Sequence, residues 1–318
     1  MRATELDYDL PPELVAQHPV EPRDASRLLV FDRETGAIRH RTFRDLPDEL
    51  DGRLVVVNDT RVVPARLRLR RETGAEVEVL LLEPRGDGVW EALARPSRRL
   101  RGGEELQAVS EGSSVELVEA LGEGRWIVRL QGEPHGEVPL PPYIHEPQDD
   151  PERYQTVYAD EAGSAAAPTA GLHFSRPLVE RLDPVSVTLH VGLDTFRPLA
   201  TETLEEHAIH GERYHVEPAA WARIEAAERV LAVGTTTTRV LETLARSGPL
   251  EGRTDLYITP GFTFRRVDAL LTNFHLPRTT LLALVMAFAG VEETRRLYRL
   301  AVEERYRFYS FGDAMLIL

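Results

Sequence analysis

The stretch RVLAVGTTTTRVLETLAR (229–246) decides the fold class of this chain. Its first part, RVLAVG, is a run of apolar and β-branched residues, which is typical of a strand buried on both faces of a parallel sheet. Its second part, from position 237 onward, spaces apolar residues by three and four and therefore predicts an amphipathic helix. A buried strand, a polar turn and a helix, in this order, are the repeating unit of α/β folds.

Three more apolar runs end in a cluster of polar or small residues. They are RLVVV (53–57) before NDTR, VSVTLH (185–190) before VGLDTF, and DALLTNF (268–274) before HLP. Helical spacing recurs in PAAWARIEAAER (218–229) and in two consecutive segments, TTLLALVMAFAG and VEETRRLYRLAVEERY. In an α/β sheet, ligands bind beyond the carboxyl ends of the strands. We therefore expect the polar clusters to gather at one edge of the sheet and to form a site there.

Residues 65–140 have a different pattern. Short alternating or apolar runs, such as RLRLRRETGAEVEVLLLE (66–83), are separated by Gly-rich turns, and no long helical period occurs. This spacing predicts an all-β module. Because α/β patterning precedes and follows it, we predict an α/β core domain formed by 1–64 and 151–318. An inserted all-β domain, a small barrel with its return linker, is predicted at 65–150.

The composition excludes several kinds of chemistry. The chain has 318 residues with no cysteine and no lysine, so all 38 basic residues are arginines. This excludes disulfides, thiolate nucleophiles, zinc and iron–sulfur sites with Cys ligands, Schiff-base catalysis and the lysine of a P-loop. Catalysis and binding must therefore use carboxylates, imidazoles, hydroxyls, amides, guanidinium groups or the backbone.

The charge distribution is uneven, although the formal net charge is −14. Positions 61–101 hold ten arginines against six acidic residues, whereas 102–161 hold three arginines against fourteen acidic residues. Proteins that bind nucleic acids are usually basic, but a local arginine patch on an acidic protein can also hold one. We therefore treat 61–101 as a candidate clamp for a nucleic acid, and solvated surface arginines are the alternative explanation.

The sequence predicts a cytoplasmic protein without a membrane partner. The first residues lack the apolar segment of a signal peptide. The longest apolar run, LLALVMAFAG (281–290), is too short to span a bilayer. We also expect the protein to be a monomer.

The cluster VGTTTTR places Thr235, Thr236 and Thr237 after Gly234, between the predicted strand and helix. A threonine at this point can cap the helix, and the free N–H groups of a helix N-terminus bind anions. Four consecutive threonines exceed what one cap requires. A carboxylate, a phosphate and ribose hydroxyls are therefore candidate ligands, and ordinary capping is the alternative.

The cluster NDTR places Asn58, Asp59, Thr60 and Arg61 just past a predicted strand. Asp59 is a candidate base or a ligand for a ribose diol, and Arg61 is a candidate partner for a carboxylate or phosphate. The alternative is an Asx turn formed by Asp59, which is a common way to leave a strand.

The segment EPRDASRLLVF places Arg23, Asp24 and Arg27 ahead of an apolar run. Two arginines on either side of an aspartate can form a fixed salt-bridge corner. Equally, they can present a guanidinium group to a substrate.

Several histidines stand in unusual surroundings. His173 ends the small-residue run GSAAAPTAGLHF (163–174), where small side chains leave room for a ligand, and His275 precedes Leu-Pro in TNFHLPRTT. His207, His210 and His215 lie close together in sequence, as zinc ligands can, but they match no metal-binding template. We therefore expect no metal site.

Taken in order, these motifs are similar to those of one family, the S-adenosylmethionine:tRNA ribosyltransferase-isomerases of queuosine biosynthesis. The resemblance covers the whole chain, and it is the ordered combination that makes it specific. The segments that carry it are YDLPPELVAQHPVEPRDASRLLV, VVNDTRVVPARL, PLPPYI, YQTVYA, GSAAAPTAGLHF, VTLHVGLDTFRP, VGTTTTRVLE, DALLTNFHLPRTTLLALVMAFAG and YRFYSFGDAML.

The resemblance implies an α/β core domain with an inserted β-barrel, and it implies a reaction. The ribosyl unit of S-adenosylmethionine would be transferred and isomerised onto 7-aminomethyl-7-deazaguanine (preQ1) at the wobble position of a tRNA. The products would be epoxyqueuosine-tRNA, adenine and methionine. The implied partners are S-adenosylmethionine and a tRNA that carries preQ1 in its anticodon loop. No metal, and no cofactor beyond S-adenosylmethionine as the ribosyl donor, is expected.

This reaction needs a base for the C5′ hydrogens, which the sulfonium acidifies, and an acid for the departing adenine. The matched motifs offer four catalytic candidates, His173, His190, His275 and Asp59. We favour His173 because it follows the small-residue run. The candidate substrate-binding residues are Arg23, Asp24, Arg27, Asn58, Thr60, Arg61, Thr169, Gly171, Thr195, Phe196, Gly234, Thr235, Thr236, Thr237 and Asn273.

The sequence departs from the family pattern in three places. Asp194 stands where we expect Gly, the connector 182–184 is shorter than usual, and His145 replaces a basic residue. Two other classes of function stay open at this point. One is a non-catalytic RNA- or nucleotide-binding protein of the same fold, and the other is a metal-dependent hydrolase built around 207–215.

Overall fold

The structure of the chain, a computed structural model, describes residues 1–109, 114–132, 134–148, 150–192, 199–209 and 211–318. The chain divides into two compact units. The first, which we call the core unit, comprises Met1–Thr60, Pro141–Glu161 and Ala167–Leu318. The second, the barrel unit, comprises Arg61–Leu140 and Ala162–Ala166.

The core unit is built on a mixed sheet with nine strands among the described residues. In order across the sheet they are β15 (Glu251–Thr254), β13 (Glu212–His215), β12 (Val185–Leu189), β3 (Leu54–Asn58), β14 (Val230–Val233), β16 (Ala269–Asn273), β17 (Ala314–Ile317), β1 (Arg27–Phe31) and β2 (Ile38–Thr42). Strands β12, β3, β14 and β16 run parallel to one another. Strand β17 is antiparallel to β16, and β1 is parallel to β17.

The four parallel strands are the four apolar runs that the sequence singles out. In register, Val56 of β3 lies between Val185 of β12 and Ala232 of β14, and all three side chains are buried. Because the strands are parallel, their carboxyl ends meet at one edge, and so do the polar clusters that follow them. The predicted fold class, an α/β core with an inserted all-β barrel, is confirmed.

Six α-helices are present among the described residues, and none of them is long and apolar enough to cross a membrane. They are α1 (Leu46–Glu49), α2 (Arg176–Leu182), α3 (Pro218–Ala226), α4 (Thr235–Leu244), α5 (Thr280–Ala289) and α6 (Val291–Glu303). Short 3-10 turns occupy Ala3–Leu6, Pro12–Leu14, Arg23–Ala25, Phe43–Asp45, Pro151–Tyr154 and Thr169–Gly171. The helices predicted from apolar spacing are present as α3 to α6.

One apolar cluster fixes the position of the small-residue run against the sheet. It combines alternate residues of the central strands, which share one face, with Phe43, Phe174 and Leu178. Burial of each large apolar side chain stabilises the fold by about 1.5–3 kcal/mol. Because Phe174 is fully buried in this cluster, the histidine that precedes it is held in place.

The barrel unit is a closed antiparallel barrel. In order around the barrel its strands are β10 (Arg125–Gln131), β7 (Val89–Arg95), β6 (Glu76–Gly86), β5 (Arg66–Arg70), β8 (Glu105–Ala108) and β9 (Ser114–Gly122). Leu67, Leu69, Val77 and Val79 point inward and are buried, while the residues between them are polar. This alternation is the pattern that predicted the all-β module. Two further strands, β4 (Thr60–Val62) and β11 (Glu161–Ser164), form a separate two-stranded sheet.

The segment 141–150, which we predicted to be part of the insertion, groups with the core unit in the structure. Gln17 is the reason, because its side chain bonds to this segment at two points. Its Nε2 donates to the carbonyl of Tyr143 (2.9 Å), and its Oε1 accepts from the backbone N–H of His145 (2.8 Å). We predicted a linker here from the local Pro-rich composition. That composition does not reveal hydrogen bonds to Gln17, which is distant in sequence.

Candidate active site

A cavity lies at the edge of the sheet where the parallel strands end. Its volume of about 30 Å³ admits only a few water molecules. It is therefore too small to hold a whole nucleoside as it stands. The lining residues belong to the core unit and are Ala167, Pro168, Thr169, Ala170, Val191, Gly234, Thr235, Thr236, Thr272, Asn273, His275 and Leu281. Six of our candidate site residues are among them: Thr169, Gly234, Thr235, Thr236, Asn273 and His275.

Helix α4 begins at the wall of this cavity. Gly234 precedes it with φ +91°, a conformation that favours glycine, and its N–H donates to the carbonyl of Leu271 (2.7 Å). The first N–H groups of a helix have no partner within it and carry partial positive charge. Within the described residues, the Thr235 hydroxyl has no hydrogen-bond partner. This part of the cavity therefore favours a carboxylate, a phosphate or sugar hydroxyls.

The other threonines of the cluster are engaged by the protein. Thr236 Oγ1 accepts from Asn58 Nδ2 (3.3 Å). Thr237 Oγ1 donates to the Val233 carbonyl (2.7 Å), and Thr238 Oγ1 donates to the Gly234 carbonyl (3.1 Å). The cap residue is Gly234, so none of the four threonines caps the helix. The Thr237 hydroxyl, a candidate ligand contact, is turned back onto its own helix and is fully buried.

Asn58 links two strands and a helix at the base of the site. Its Nδ2 also donates to the Leu189 carbonyl (2.9 Å), and its Oδ1 accepts from the backbone N–H groups of Leu189 (3.0 Å) and Thr60 (3.2 Å). The last bond is an Asx turn, and it forms at Asn58 rather than at Asp59, the position that we considered. Because both polar atoms of its side chain are hydrogen-bonded within the protein, Asn58 holds β3, β12 and α4 together.

The Asp59 carboxylate makes fewer hydrogen bonds than the Asn58 side chain. Thr188 Oγ1 donates to its Oδ1 (2.7 Å). Burial raises the pKa of Asp59 above its ordinary value and nearby Glu161 raises it further, while the bond from Thr188 lowers it. The charge of Asp59 in turn contributes to a raised pKa for Tyr158, for which burial is the larger cause. A carboxyl group that binds its proton more tightly than usual is suited to proton exchange.

His190 follows β12 and is half-buried beside Thr60. Its Nδ1 lies 2.9 Å from Thr60 Oγ1. The Thr60 hydroxyl is also 3.4 Å from the Glu161 carbonyl, to which it can donate. With the hydroxyl proton used in this way, Nδ1–H of His190 donates to Thr60 Oγ1.

His173 is fully engaged by its surroundings. Its Nδ1 lies 2.8 Å from Ser26 Oγ, and its Nε2 lies 3.1 Å from Asn273 Nδ2. Asn273 Nδ2 also donates to the Tyr309 carbonyl (3.1 Å), and its Oδ1 accepts from Thr169 Oγ1 (3.1 Å). A carbonyl can only accept, which fixes the orientation of the amide. Nε2 of His173 must therefore accept, and the ring is neutral with its proton on Nδ1.

The electrostatics of His173 agree with this assignment. Burial, together with the smaller effect of the positive charges of Arg307, Arg153 and Arg23, lowers the pKa of His173 from 6.5 to about 3. Phe43 stacks on the ring with centroids 5.0 Å apart. His173 thus orients Asn273, which lines the cavity, while neither of its own ring nitrogens is open to a ligand.

His275 differs from His173 because one of its ring nitrogens is open. Its Nε2 lies 2.6 Å from Thr272 Oγ1. Within the described part of the chain, Nδ1 has no hydrogen-bond partner. The backbone is fixed on both sides, since the N–H donates to Tyr298 Oη (3.0 Å) and the carbonyl accepts from Tyr8 Oη (2.5 Å). Burial lowers the pKa of His275 to about 3, so the ring is neutral at physiological pH.

The small-residue run performs two different tasks. Ala167, Pro168, Thr169 and Ala170 line the cavity. Gly171 does not, although we predicted it as a substrate contact. A Cβ atom there would lie 2.0 Å from Tyr158 Oη, so packing within the protein requires glycine at this position.

The arginine corner holds protein segments together. The guanidinium of Arg23 donates to three backbone carbonyls, at 2.9, 3.2 and 3.2 Å, and burial lowers its pKa to about 10. Arg27 donates to the Glu304 carbonyl (2.7 Å) and lies 3.7 Å from the centre of the Tyr306 ring. Asp24 accepts from Ser175 Oγ (2.6 Å). None of the three lines the cavity.

Some candidates lie elsewhere. Thr195 and Phe196, like Asp194, fall in 193–198, outside the described residues. Arg61 begins the barrel unit. The short connector is a tight link in which Asp183 adopts φ +42° between α2 and β12.

Sequence reasoning missed Glu212, which supports one wall of the cavity. The N–H of Gly192 donates to its Oε1 (2.9 Å). Arg239 of α4 pairs with the same carboxylate and donates to the carbonyls of Thr254 (2.9 Å) and Leu256 (3.0 Å). Both charged side chains are buried. The only available signal was Arg239 itself, a charged residue on the otherwise apolar stripe of a predicted helix.

The histidines at 207–215 do not form a metal centre in the part of the chain that is described. No group of three or more His, Cys, Asp or Glu residues is arranged to hold a metal there. His215 Nε2 lies 2.8 Å from Glu217 Oε1 at the surface, and His207 packs edge-on against Tyr257. His210 lies outside the described residues.

Comparison with known proteins connects this site to one family. A sequence model of the family described as "Queuosine biosynthesis protein" matches residues 3–317. The chain belongs to this family. Among its relatives is the S-adenosylmethionine:tRNA ribosyltransferase-isomerase of Rubrobacter xylanophilus, which is 56% identical over 100% of this chain and 98% of that protein. The protein of the same name from Thermotoga maritima is 49% identical over 100% of both chains.

A solved structure gives the same result. The crystal structure of S-adenosylmethionine tRNA ribosyltransferase from Thermotoga maritima matches with a TM-score of 0.57 and 42% sequence identity. The match covers 99% of this chain and 100% of that one. The family membership therefore extends over both units of the chain.

Proposed function

We propose that this chain is an S-adenosylmethionine:tRNA ribosyltransferase-isomerase. It transfers and isomerises the ribosyl unit of S-adenosylmethionine onto preQ1 at the wobble position of a tRNA, and it releases adenine and methionine. Relatives of this name match over the full length, and the family model matches residues 3–317. We expect the enzyme to act as a cytoplasmic monomer and to need neither a metal nor a further cofactor.

The observation that carries this proposal is the convergence of four family motifs on one cavity. GSAAAPTAGLHF, VTLHVGLDTFRP, VGTTTTRVLE and DALLTNFHLP each contribute lining residues, although they are far apart in sequence. The cavity combines an anion-binding helix end with neutral imidazole and amide groups. S-adenosylmethionine has matching features, namely a carboxylate, ribose hydroxyls and a sulfonium cation that would repel a protonated histidine.

We assign the N-terminus of α4 to the methionine carboxylate or the ribose hydroxyls. The partial positive charge of the helix end and the Thr235 hydroxyl support this assignment. Thr236 and Gly234 complete that wall. Thr169 and Asn273 are assigned to substrate contacts on the opposite segments, because both line the cavity and are bonded to each other.

We assign proton transfer first to His275. Its Nδ1 is open, its ring is neutral and its backbone is held on both sides, so it can accept a C5′ proton without first losing one. The Asp59 carboxyl and the His190 imidazole are assigned as the second group, which supplies a proton to adenine. His173 becomes a positioning residue for Asn273.

The RNA substrate must expose its base for this reaction. Recognition of RNA by sequence targets single-stranded loops whose bases can be turned outward. An anticodon loop that carries preQ1 meets this requirement. The proposal therefore predicts binding of tRNA with affinity that falls as salt increases.

The test is incubation of the protein with S-adenosylmethionine and tRNA that carries preQ1. We expect adenine and methionine to be released in equal amounts, with a gain of mass on the modified base. The matched control is the same tRNA with guanine at the wobble position, which should release nothing. Binding of both substrates by folded protein without release would favour the alternative, a non-catalytic RNA- or nucleotide-binding protein.

A further inference from the structure

Apart from Arg61, which also interacts with other groups, the arginines of the barrel unit fall into two groups. Seven of them form ion pairs with glutamates. They are Arg66, Arg68, Arg70, Arg71, Arg85, Arg125 and Arg129. The paired arginines lie on three of the barrel strands, β5, β6 and β10, or directly after β5, and the glutamates beside them neutralise their charge.

The second group is a single loop. Residues 95–101, RPSRRLR, begin at the last residue of β7 and contain Arg95, Arg98, Arg99 and Arg101 but no acidic residue. All four side chains are exposed. Within the residues that the structure describes, none of the four guanidinium groups forms an ion pair. Uncompensated positive charge in this unit is therefore concentrated in one segment of a chain whose net charge is −14.

The backbone of this loop is fixed from within the barrel unit. Leu100 is buried in the apolar core of the barrel, and its N–H donates to the Ser97 carbonyl (3.1 Å). Arg71 donates to the Arg99 carbonyl (3.0 Å) and pairs with Glu104. Glu104 also accepts from the N–H of Arg101 (3.3 Å). The fixed backbone carries free guanidinium groups, so little order has to be gained when they bind an anion.

We propose that the loop 95–101, which we call the arginine loop, binds the phosphate backbone of the tRNA. This inference rests on the proposed function for the identity of the polyanion. Guanidinium groups match phosphate oxygens in two-point hydrogen bonds, and several neighbouring arginines match the regular spacing of phosphates. An acidic protein surface is a different partner for the same charges, and the test below distinguishes it.

The test compares two triple variants with equal charge change. The first, Arg98→Ala/Arg99→Ala/Arg101→Ala, removes free cations from the arginine loop. The control, Arg68→Ala/Arg70→Ala/Arg129→Ala, removes exposed cations that are paired at 3.0, 3.2 and 3.5 Å. Dissociation constants for tRNA are measured at several salt concentrations. Thermal unfolding of both proteins establishes that the barrel is folded.

We expect the loop variant to bind tRNA about 10- to 100-fold more weakly and its salt slope to fall by about two to three, since each lost phosphate contact removes about 0.7–0.9 from the slope. The control should change the affinity less than about threefold. Wild-type affinity and slope in the loop variant would overturn the inference, and they would leave an acidic protein as the partner of these charges. Equal losses in the two variants would also overturn it.

Turnover separates this inference from the proposed function. In the loop variant, the KM for tRNA should rise while kcat at saturating tRNA and the KM for S-adenosylmethionine stay unchanged. If the wild-type protein releases no adenine but the loop variant still loses tRNA affinity, the proposed function fails and the arginine loop stands. If turnover is present and tRNA binding is unaffected by the loop variant, the proposed function stands and the arginine loop fails.

Discussion

The two units of this chain differ in how many polar side chains they bury. Among the described residues, nearly all buried polar and charged side chains belong to the core unit, and Glu91 and Ser164 are the two in the barrel unit. The core unit buries complete networks, such as His173 with Ser26 and Asn273. The barrel has an apolar interior and, apart from Glu91, keeps its charged side chains outside that interior.

This difference follows from what each unit has to hold. Burying a polar group costs free energy unless all its hydrogen bonds are made. The core unit buries polar side chains at the carboxyl ends of its strands, and there their hydrogen bonds fix the orientation of imidazole and amide groups. The barrel has no such requirement inside, so its stability comes from apolar packing, and its surface is free to carry charge.

The largest expected effect on stability comes from substitution of Glu242, a buried carboxylate of the core unit with several hydrogen bonds. Its carboxylate is fully buried, pairs with Arg246 and accepts from the N–H groups of Arg265, Arg266 and Val267. Glu242→Gln turns one acceptor into a donor that faces N–H groups. We expect the free energy of unfolding of the core unit to fall by about 3 kcal/mol.

The matched variant for Glu242→Gln is Glu91→Gln in the barrel, whose arginine partners are 48% and 37% exposed. Urea unfolding can follow each unit separately, because Trp221 is in the core unit and Trp90 and Trp126 are in the barrel. Trp→Phe changes at the other positions isolate each signal. If Glu91→Gln costs its unit as much as Glu242→Gln costs the core, the contrast between the units is wrong.

The second prediction concerns catalysis in the core unit. His275→Ala should reduce kcat by about 100-fold or more, because it removes the open imidazole from the cavity. His173→Ala should reduce it about tenfold, through displacement of Asn273, and should raise the KM for S-adenosylmethionine. Release of adenine from preQ1-tRNA measures both.

The control for the histidine variants is His215→Ala at the surface, which should leave turnover unchanged. A loss of 100-fold or more in His173→Ala with folding intact would return proton transfer to that residue. Near wild-type turnover in His275→Ala would remove His275 from the mechanism.

The third prediction uses pH to separate the units. Burial lowers the pKa of both His173 and His275 from 6.5 to about 3. Between these values only the unfolded state binds the protons, so stability is present above pH 6.5 and is lost as the pH falls. Each histidine contributes at most about 1.4 kcal/mol per pH unit.

In the barrel, arginine partners hold the pKa of Glu91 and Glu104 below 4.5. Those carboxylates contribute stability above that value and lose it only at lower pH. We therefore expect the urea midpoint reported by Trp221 to fall between pH 6.5 and 5, while the midpoint reported by the barrel tryptophans stays constant. Parallel decreases in both midpoints would contradict this.

The smallest effect is expected at the barrel surface. Arg68 pairs with Glu137 at 3.0 Å, and both side chains are more than half exposed. Arg68→Ala should change the free energy of unfolding of the barrel by less than about 1 kcal/mol, because water and salt screen the pair. A measured loss above about 2 kcal/mol would mean that ion pairs on the barrel surface stabilise their unit as strongly as the buried charges stabilise the core.

The sequence predicted the fold to the extent that local patterns carry it. Buried parallel strands have continuous apolar runs, and barrel strands alternate, so both units could be recognised. Strand β17, AMLI, was not assigned, because a short apolar run has the same composition whether it is parallel or antiparallel to its neighbours. Its place between β16 and β1 depends on pairing across the whole chain.

The site was predictable in position but not in the roles of its residues. Thr235, Thr236 and His275 follow strands, and the rule for α/β sheets placed them at one edge. The state of His173 depends on Ser26 and Asn273, which are 147 and 100 residues away in sequence. Local sequence cannot reveal such partners, and it cannot reveal that a side chain at Gly171 would collide with Tyr158.

The position of β17 also has a consequence for the order of assembly. Strand β1 reaches the rest of the sheet through β17, and Leu28 pairs with Ala314, so this contact closes a loop that contains the entire barrel. Contacts of such long sequence separation form late, because the entropy of closing the loop is lost first. The barrel strands pair within 66–131 and need no later part of the chain. During synthesis on the ribosome, the barrel strands are therefore complete while the sheet of the core unit still lacks one of its interior strands.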